Sequence, residues 1–294
     1  MYKSGFVTVI GRPNVGKSTL LNQIIGEKIS IISDKPQTTR NKIQLIYTEE
    51  NFQIIFLDTP GIQIPRNKLG EYMLKVSKET LEEVDIITFI VDESMETGRL
   101  DQYIIDELKG VKTPIILLIN KIDKISREDV DKLIKKYEKM NMFEDIIPIS
   151  AIKGENIDSY IEAIKKLLPE GPQYFPEDMI TDQPERFIIS EIIREKALEN
   201  LSEEVPHGIF VEIERISKRE DKDLIDVNAV IYCERESHKG IIIGKNGRML
   251  KSIGRSARQD IEKLLGSQVN LQLWVKVEKN WRERESKVRY FGYK

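Results

Sequence analysis

Short apolar runs and amphipathic segments alternate over the first 168 residues. The apolar runs are rich in β-branched residues and lack polar alternation, which is typical of strands buried on both faces of a parallel sheet. They lie at 6–10, 43–48, 53–57, 114–119 and 145–149. Helical spacing appears at 18–25 and 157–168, so this part of the chain predicts an α/β domain with a mostly parallel sheet and helices on both faces.

The pattern changes after residue 168. Pro169-Glu170-Gly171-Pro172 interrupts the last helix, and the chain through Pro184 is rich in Pro, Asp and Glu, so we predict a linker over 169–184. A smaller α+β domain follows over 185–294. Its predicted elements are a helix at 186–201, strands at 208–216 and 224–233, a short helical turn at 240–243, a helix at 248–265 and a strand at 269–277.

Charge is distributed unevenly over the 294 residues, whose formal net charge is −3. From Glu234 to Lys294 there are 15 Lys and Arg against 7 Asp and Glu, so the rest of the chain is strongly acidic. Six basic residues and no acidic one lie between 237 and 259: Lys239, Lys245, Arg248, Lys251, Arg255 and Arg258. A basic C-terminal domain and tail on an acidic chain predict a polyanionic partner.

Composition excludes several classes of protein. The single cysteine, Cys233, predicts that no disulfide forms, as is typical of a reducing cytoplasm. The two histidines show no zinc-ligand spacing, and no apolar run is long enough for a membrane span. We therefore expect a cytoplasmic protein with no disulfide or zinc partner.

A phosphate-binding loop is predicted at 11–18, where Gly-Arg-Pro-Asn-Val-Gly-Lys-Ser matches G-x-x-x-x-G-K-[ST] between a strand and a helix. Gly11 and Gly16 let the backbone approach phosphate closely, and the amides from Asn14 to Thr19 lie near a helix N-terminus. Lys17 is expected to reach the β- and γ-phosphates, and the hydroxyl of Ser18 is expected to bind Mg²⁺.

Two further motifs follow predicted strands. Asp58-Thr59-Pro60-Gly61 offers a carboxylate for Mg²⁺ and a glycine amide for a γ-phosphate. Asn120-Lys121-Ile122-Asp123 offers a carboxylate that can accept from the ring N–H and the exocyclic amine of guanine. Adenine lacks that donor pair and would leave the carboxylate unpaired, so the sequence predicts GTP rather than ATP.

Two weaker signals complete the predicted nucleotide site. The backbone amides of Ser150, Ala151 and Ile152 follow another strand and are candidates for the guanine carbonyl. In Gln37-Thr38-Thr39-Arg40 one threonine, for which we favour Thr39 over Thr38, is expected to bind Mg²⁺ only when the γ-phosphate is present, which would make this loop a switch. The predicted nucleotide contacts are Gly11, Arg12, Pro13, Asn14, Val15, Gly16, Lys17, Ser18, Thr19, Asp58, Thr59, Pro60, Gly61, Asn120, Lys121, Asp123, Ser150, Ala151 and Ile152.

These motifs, in this order, resemble those of the translation-factor-related P-loop GTPases. Ile62 stands where Ras-like members of that class have a glutamine that orients the attacking water, so slow intrinsic hydrolysis is predicted. Asn14 resembles the asparagine that binds K⁺ in some related GTPases, and we hypothesise K⁺-stimulated hydrolysis. The candidate catalytic residues are Lys17, Thr39, Gly61 and Asn14, with Ser18, Thr39 and Asp58 as candidate Mg²⁺ ligands.

An RNA-binding motif is predicted in the basic domain. Gly244-Lys245-Asn246-Gly247 follows an apolar helical turn and precedes a basic helix, which resembles a KH domain of the helix-first bacterial type II topology. In such domains a G-x-x-G loop clamps the backbone of about four nucleotides of single-stranded RNA. The candidate RNA contacts are Ile241, Ile242, Ile243, Gly244, Lys245, Asn246, Gly247, Arg248 and Lys251, with the isoleucines as an apolar floor for bases.

The whole chain resembles the Era family of bacterial ribosome-assembly GTPases. The segments that carry the resemblance are Gln37–Arg40, Phe175–Asp178, Ser190–Lys196, Val211–Glu214 and Leu273–Val277. It implies binding to the 3′ end of small-subunit ribosomal RNA during assembly of the small subunit. It also implies peripheral contact with the inner face of the cell membrane, although no amphipathic anchor in this sequence supports that.

Two other functions fit part of the sequence. In the first, the GTPase is retained but its basic domain binds a protein or an anionic membrane surface instead of RNA. In the second, the phosphate loop belongs to a metabolic kinase or ATPase, against which Asp123 argues.

Overall fold

The computed structural model describes residues 1–33, 35 and 37–293, so the last residue of the predicted C-terminal domain lies outside it. The chain divides into two compact units. The first consists of Met1–Ser30, Thr39–Pro65 and Gly70–Asp182, and the second of Ile31–Thr38, Arg66–Leu69 and Gln183–Lys294.

The first unit contains a six-stranded sheet in the order β2-β3-β1-β4-β5-β6. Only the β2–β3 pair is antiparallel among its strand pairs in the described residues, which agrees with the predicted mostly parallel sheet. The strands are β1 (Lys3–Ile10), β2 (Ile43–Glu49), β3 (Phe52–Asp58), β4 (Ile86–Val91), β5 (Ile115–Ile119) and β6 (Asp145–Pro148).

A short turn joins the antiparallel strands β2 and β3, whereas helices lie between the other consecutive strands, as expected for parallel crossovers. They are α1 (Lys17–Ile25), α2 (Lys68–Glu82), α3 (Arg99–Leu108), α4 (Arg127–Glu138) and α5 (Ile157–Leu167), with a one-turn 3-10 helix at Ile122–Lys124. The central strands β3, β4 and β5 are buried along their whole length, because side chains on both of their faces are covered.

The carboxyl ends of the parallel strands bring the predicted motifs to one edge of the sheet. Gly11 follows β1, Asp58 ends β3, Asn120 follows β5 and Ser150 comes shortly after β6. Ligand sites in open α/β sheets lie outside the carboxyl ends of the strands. The topology therefore collects residues that are far apart in sequence.

The segment predicted as a linker, 169–184, is bonded along the first unit up to Asp182. The amide of Ser4 donates to the carbonyl of Pro169 at 3.2 Å, and the amide of Ile46 donates to that of Ile180 at 2.9 Å. The Gln53 side chain also accepts from the amides at 174 and 175. The Tyr174 ring also lies 5.4 Å from that of Phe6, and Phe175 packs against the core of the first unit. The segment is thus held by individual contacts and not by a repeating apolar face.

The second unit contains a three-stranded sheet in the order β7-β8-β9, with β7–β8 antiparallel and β8–β9 parallel. Its elements run helix, strand, strand, helix, turn, helix, strand, as predicted. They are α6 (Glu185–Asn200), β7 (Phe210–Lys218), β8 (Leu224–Cys233), α7 (Glu236–Ile243), α8 (Arg248–Leu265) and β9 (Gln268–Val277), with 3-10 turns at Pro206–Gly208 and Lys245–Gly247.

The basic C-terminal tail folds back onto this unit as a 3-10 turn, Trp281–Glu283, and the short helix α9 (Glu285–Tyr290). The Trp281 side chain is fully buried and its indole N–H donates to the carbonyl of Gly208 at 2.9 Å. Phe291 stacks on Phe210 of β7 with ring centroids 4.2 Å apart. The tail is thus part of the core of the second unit.

No helix among the residues that the structure describes is both long and apolar enough to cross a membrane.

Candidate nucleotide-binding and RNA-binding sites

The phosphate loop requires glycine at two positions. Gly16 has φ +104°, and a Cβ there would lie 2.3 Å from Nδ2 of Asn120. A Cβ at Gly11 would lie 2.5 Å from the carbonyl oxygen of Ile90. Any side chain at these positions would displace the loop, so the spacing of the motif reflects close backbone packing as well as room for phosphate.

Lys17 is buried beside the loop, and its Nζ lies 3.2 Å from the carbonyl oxygens of Gly11 and Arg12. Burial lowers the pKa of Lys17 to about 8, although the charge of Asp58 acts in the opposite direction. An anion brought to this position would restore the favourable surroundings of the ammonium group. The site is thus electrostatically prepared for phosphate.

Three oxygen-bearing side chains meet at the start of α1. The hydroxyl of Ser18 donates to Oδ2 of Asp58 at 3.1 Å and lies 3.2 Å from the hydroxyl oxygen of Thr39. Asp58 is fully buried, and its Oδ1 has no hydrogen-bond partner among the described residues. Hydroxyl and carboxylate oxygens with one acceptor left unsatisfied fit Mg²⁺ and its bound water.

The two threonines of the predicted switch differ in their surroundings. The hydroxyl of Thr38 donates to the carbonyl of Lys35 at 2.6 Å, whereas Thr39 is beside Ser18. This difference supports Thr39 over Thr38 as the Mg²⁺ ligand. Its ligand role stays a prediction.

The predicted guanine-binding side chains are fixed by contacts with the neighbouring loops. Asn120 donates from Nδ2 to the carbonyl of Val15 at 2.8 Å and accepts from the amide of Ala151 at 2.9 Å. The hydroxyl of Ser150 donates to Oδ1 of Asp123 at 2.6 Å. That hydrogen bond lowers the pKa of Asp123 and favours the carboxylate form, which the predicted recognition of guanine requires.

In the second unit, the G-x-x-G turn joins α7 to α8, and three of its four residues have a positive backbone φ angle. Gly244, Asn246 and Gly247 have φ of +71°, +53° and +74°. Lys245, within the turn, and Arg248, directly after it, are both exposed. The turn therefore presents backbone and positive charge to solvent at the start of α8, as contact with phosphates requires.

A groove of about 530 Å³ continues from this turn between α8 and β9. One wall is a single face of α8, and the other is apolar and comes from β9. The residues that line it are Gly247, Leu250, Lys251, Gly254, Arg255, Arg258, Leu271 and Leu273. Apolar surface for bases flanked by cations for phosphates is the composition that single-stranded nucleic acids need.

Comparison with known proteins gives the family. Residues 6–121 match the family described as 50S ribosome-binding GTPase, and residues 204–282 match the KH domain family. GTPase Era of Clostridioides difficile (strain 630) is 60% identical over 294 residues, covering 100% of this chain and 99% of that protein. GTPase Era of Alkaliphilus oremlandii (strain OhILAs) is 62% identical over 292 residues, covering 99% of each. The chain belongs to the Era family of GTPases.

Two solved structures of Era agree with this assignment at 45% identity. The complex of Era with MgGDPNP and nucleotides 1506–1542 of 16S ribosomal RNA has a TM-score of 0.96 and covers 100% of this chain and 99% of its own. A variant of Aquifex aeolicus Era bound to GDP·AlF4⁻ has a TM-score of 0.95 and covers 99% of each chain. The predicted fold class is confirmed: a P-loop GTPase domain is followed by a KH domain. The chain is therefore a GTP-hydrolysing enzyme.

Some residues that we predicted in the nucleotide site of this Era-family chain have side chains or amides that are engaged elsewhere. The hydroxyl of Thr59 is buried and lies 3.2 Å from the carbonyl of Val9, to which it donates, and the Val15 side chain is part of the core. The amides of Ser150 and Ala151 donate to Glu155 and Asn120. The guanine carbonyl would have to share these amides or use that of Ile152. Only backbone atoms of Thr59 and Val15 remain candidates.

One predicted RNA contact needs correction. Ile242 is fully buried in the core of the second unit, whereas Ile241 is 49% exposed. The helical rotation of α7 separates the consecutive isoleucines, so Ile242 cannot offer surface to a base.

The RNA contacts predicted from the sequence also omitted several residues that line the groove between α8 and β9. Leu250, Gly254, Arg255 and Arg258 share one face of α8 with Lys251, and this i+3/i+4 spacing could have identified them. Leu271 and Leu273 come from β9, and no local pattern connects them to the G-x-x-G turn.

Proposed function

We propose that this protein is a GTP-driven switch that binds the single-stranded 3′ end of small-subunit ribosomal RNA through its KH domain and acts in assembly of the small subunit. The observation that carries the RNA assignment is the exposed G-x-x-G turn that opens into a basic and apolar groove. The solved Era complex with 16S ribosomal RNA and a GTP analogue supports the same partner.

For the hydrolytic reaction, we assign charge neutralisation at the β- and γ-phosphates to Lys17 and a γ-phosphate contact to the amide of Gly61. A Cβ at Gly61 would lie 3.1 Å from the backbone nitrogen of Pro13 and 3.2 Å from Nζ of Lys17, so a side chain there would press against the phosphate loop. Ser18, Thr39 and Asp58 would hold Mg²⁺, which when bound supplies positive charge to the phosphates.

The sequence motifs provide no side chain that would orient the attacking water. Ile62 is 2% exposed, and its aliphatic side chain cannot donate or accept a hydrogen bond. We propose that hydrolysis is slow without a stimulating factor, and that K⁺ held by Asn14 supplies positive charge beside the phosphates. Turnover should be faster in KCl than in NaCl at equal ionic strength, and Asn14→Ala should abolish the difference. Equal turnover of the unchanged protein in both salts would contradict the K⁺ role.

The RNA assignment is tested by the affinity for a labelled single-stranded oligonucleotide from the 3′ end of small-subunit ribosomal RNA. Gly247→Asp puts a carboxylate at the turn, where a Cβ meets no atom within 4 Å. Gly244→Asp is a poorer choice because its Cβ would lie 2.7 Å from Cβ of Met249. Gly266→Asp is the matched control, since Gly266 ends α8 with φ +62° and the same open space.

We expect Gly247→Asp to abolish RNA binding and Gly266→Asp to retain it, with GTP hydrolysis unchanged in both. Equal RNA binding by the two variants would exclude the G-x-x-G turn as the contact. If the unchanged protein does not bind the RNA, binding to vesicles that contain anionic lipid tests the membrane alternative. A contact that depends on diffuse positive charge would be weakened only modestly by the single carboxylate of Gly247→Asp.

A cytoplasmic location with peripheral membrane contact is part of this proposal. Fractionation of cells into soluble and membrane material tests it.

A further inference from the structure

Arg12, the second residue of the phosphate loop, is held by two buried carboxylates. Its Nε donates to Oδ2 of Asp101 at 3.1 Å, and a terminal nitrogen forms an ion pair with Oδ2 of Asp92. The side chains of Asp101 and Asp92 are only 4% and 10% exposed. A guanidinium held at two positions cannot rotate away as a surface arginine would.

The two carboxylates are positioned by β4 and α3 of the first unit. Asp92 follows β4 directly and also accepts from the amide of Ser94 at 3.2 Å. Asp101 lies in the first turn of α3. Burial acts to raise the pKa of both carboxyls, but for Asp92 the Ser94 hydrogen bond and the charge of Arg12 outweigh it and lower the pKa.

Asp92 also contacts the guanine-binding motif. Nζ of Lys121 lies 3.6 Å from the same Oδ2 that pairs with Arg12. That Nζ donates to the carbonyl of Asn14 at 2.8 Å. Oδ2 of Asp92 therefore contacts both Arg12, which belongs to the phosphate loop, and Lys121, which holds the backbone of that loop.

We propose that Asp92 and Asp101 are positioning residues for GTP hydrolysis, which act through Arg12 and Lys121 to keep the phosphate loop in its binding geometry. Neither carboxylate belongs to the sequence motifs of the nucleotide site. The loop can bind phosphate only if its amides converge, and Asn14 has the left-handed backbone (φ +66°) that this curvature requires. The two carboxylates hold Arg12, and Lys121 holds the carbonyl of Asn14. These contacts lower the entropic cost of ordering the loop when nucleotide binds.

The test uses the single-turnover rate of GTP hydrolysis at saturating protein and the dissociation rate of labelled GDP. Asp92→Asn and Asp101→Asn should each slow hydrolysis and accelerate GDP release by about tenfold. The matched control is Asp85→Asn, because Asp85 directly precedes the same strand β4 and accepts from the amide of Phe6 at 2.8 Å. We expect this control to change both rates less than twofold.

A cycle with Arg12→Gln distinguishes positioning from a general loss of stability. If Asp101 acts through Arg12, Asp101→Asn has no further effect on either rate once Arg12 is Gln. A purely structural role would lower the melting temperature and leave the rates at a temperature well below unfolding unchanged. Wild-type rates in both single variants, or equal losses with and without Arg12, would overturn the proposal.

If Asp92→Asn unfolds because it removes one of the two carboxylates that hold Arg12, the Arg12→Gln, Asp92→Asn double variant carries the test, since it removes both charges together. It should fold and still hydrolyse GTP about tenfold more slowly than the unchanged protein. Hydrolysis at the unchanged rate would overturn the proposal. Binding of GDP by the unchanged protein tests the nucleotide site itself, so a failure of the positioning proposal can be distinguished from a failure of that assignment.

Discussion

The hydroxyl of Ser150 donates a hydrogen bond to Oδ1 of Asp123 at 2.6 Å. The two residues are 27 positions apart, and each follows a different strand of the sheet. Ser150 thereby fixes one carboxylate oxygen and lowers the pKa of the group, while the other oxygen is the acceptor that the predicted contact with guanine needs. The predicted selection of guanine would thus depend on the relative positions of two loops.

Asp123→Asn should change the preferred base. An asparagine can still accept from Ser150, but it replaces one acceptor by an N–H that opposes the guanine donors. We expect affinity for GDP to fall by roughly 100-fold or more, and affinity for xanthosine diphosphate to rise, because xanthine has a carbonyl in place of the amine. Competition binding with the two nucleotides measures the change. A GDP affinity within twofold of the unchanged protein would exclude Asp123 as the guanine contact.

Nucleotide binding should depend on pH through Lys17. Its pKa of about 8 without nucleotide lies below its ordinary value of 10.5, and bound phosphates should raise it. Above pH 8, binding then takes up a proton, so GDP affinity is highest below pH 8 and declines as the pH rises above it. Calorimetry at pH 8.5 in two buffers of different ionisation enthalpy should detect the proton.

The control for this proton is Lys17→Arg, whose guanidinium stays charged across the range. The buffer dependence should disappear in it. A binding enthalpy of the unchanged protein that is the same in both buffers would contradict the assignment.

The α8 groove should determine the salt dependence of RNA binding. Arg255 lines it, and Arg255→Gln should reduce the slope of log affinity against log salt by about 0.7, the value for one phosphate contact to a single strand. Lys263→Gln is the control on the same helix, since the Lys263 side chain is 81% exposed and pairs with Asp260. If both substitutions change the slope equally, the groove has no special role.

The C-terminal segment should contribute to stability. The chain has two tryptophans, of which Trp281 is fully buried and Trp274 is 43% exposed. Trp281→Ala should lower the free energy of unfolding by about 3–5 kcal/mol because it removes a large buried ring and a hydrogen bond to Gly208. Trp274→Ala should lower it by less than about 1 kcal/mol. Denaturant unfolding of the full chain, followed for the second unit, measures both changes in the free energy of unfolding. Equal losses of stability in the two variants would mean that the C-terminal segment does not belong to the core.

Much of the fold could be predicted because local patterns were strong. The strand at 224–233 and the helix at 248–265 have the same bounds in the structure. Glycines in the left-handed region at 247 and 266 flank that helix, and its buried residues Ile253, Ala257 and Ile261 have helical spacing. The phosphate loop, the motif that begins at Asp58 and the motif that begins at Asn120 could be located because each comes at the end of a mostly buried strand.

What could not be predicted depends on tertiary contacts. Asp92 and Asp101 are ordinary acidic residues in the sequence, and only the packing of β4 and α3 brings them to Arg12. Hydropathy does not distinguish Ile241 from Ile242, whose exposure depends on the rotation of one helix. The aromatic residues after 280 lack periodicity because they pack against Phe210, about 70 residues earlier in the chain.

The proposed function requires that the nucleotide state changes the affinity for RNA. The most direct measurement is the dissociation constant of a single-stranded oligonucleotide from the 3′ end of small-subunit ribosomal RNA, determined at one salt concentration with the GTP analogue GDPNP and with GDP. We predict binding at least about fivefold tighter with GDPNP, as a coupling of 1 kcal/mol or more would give. Equal dissociation constants in the two states would contradict the switch.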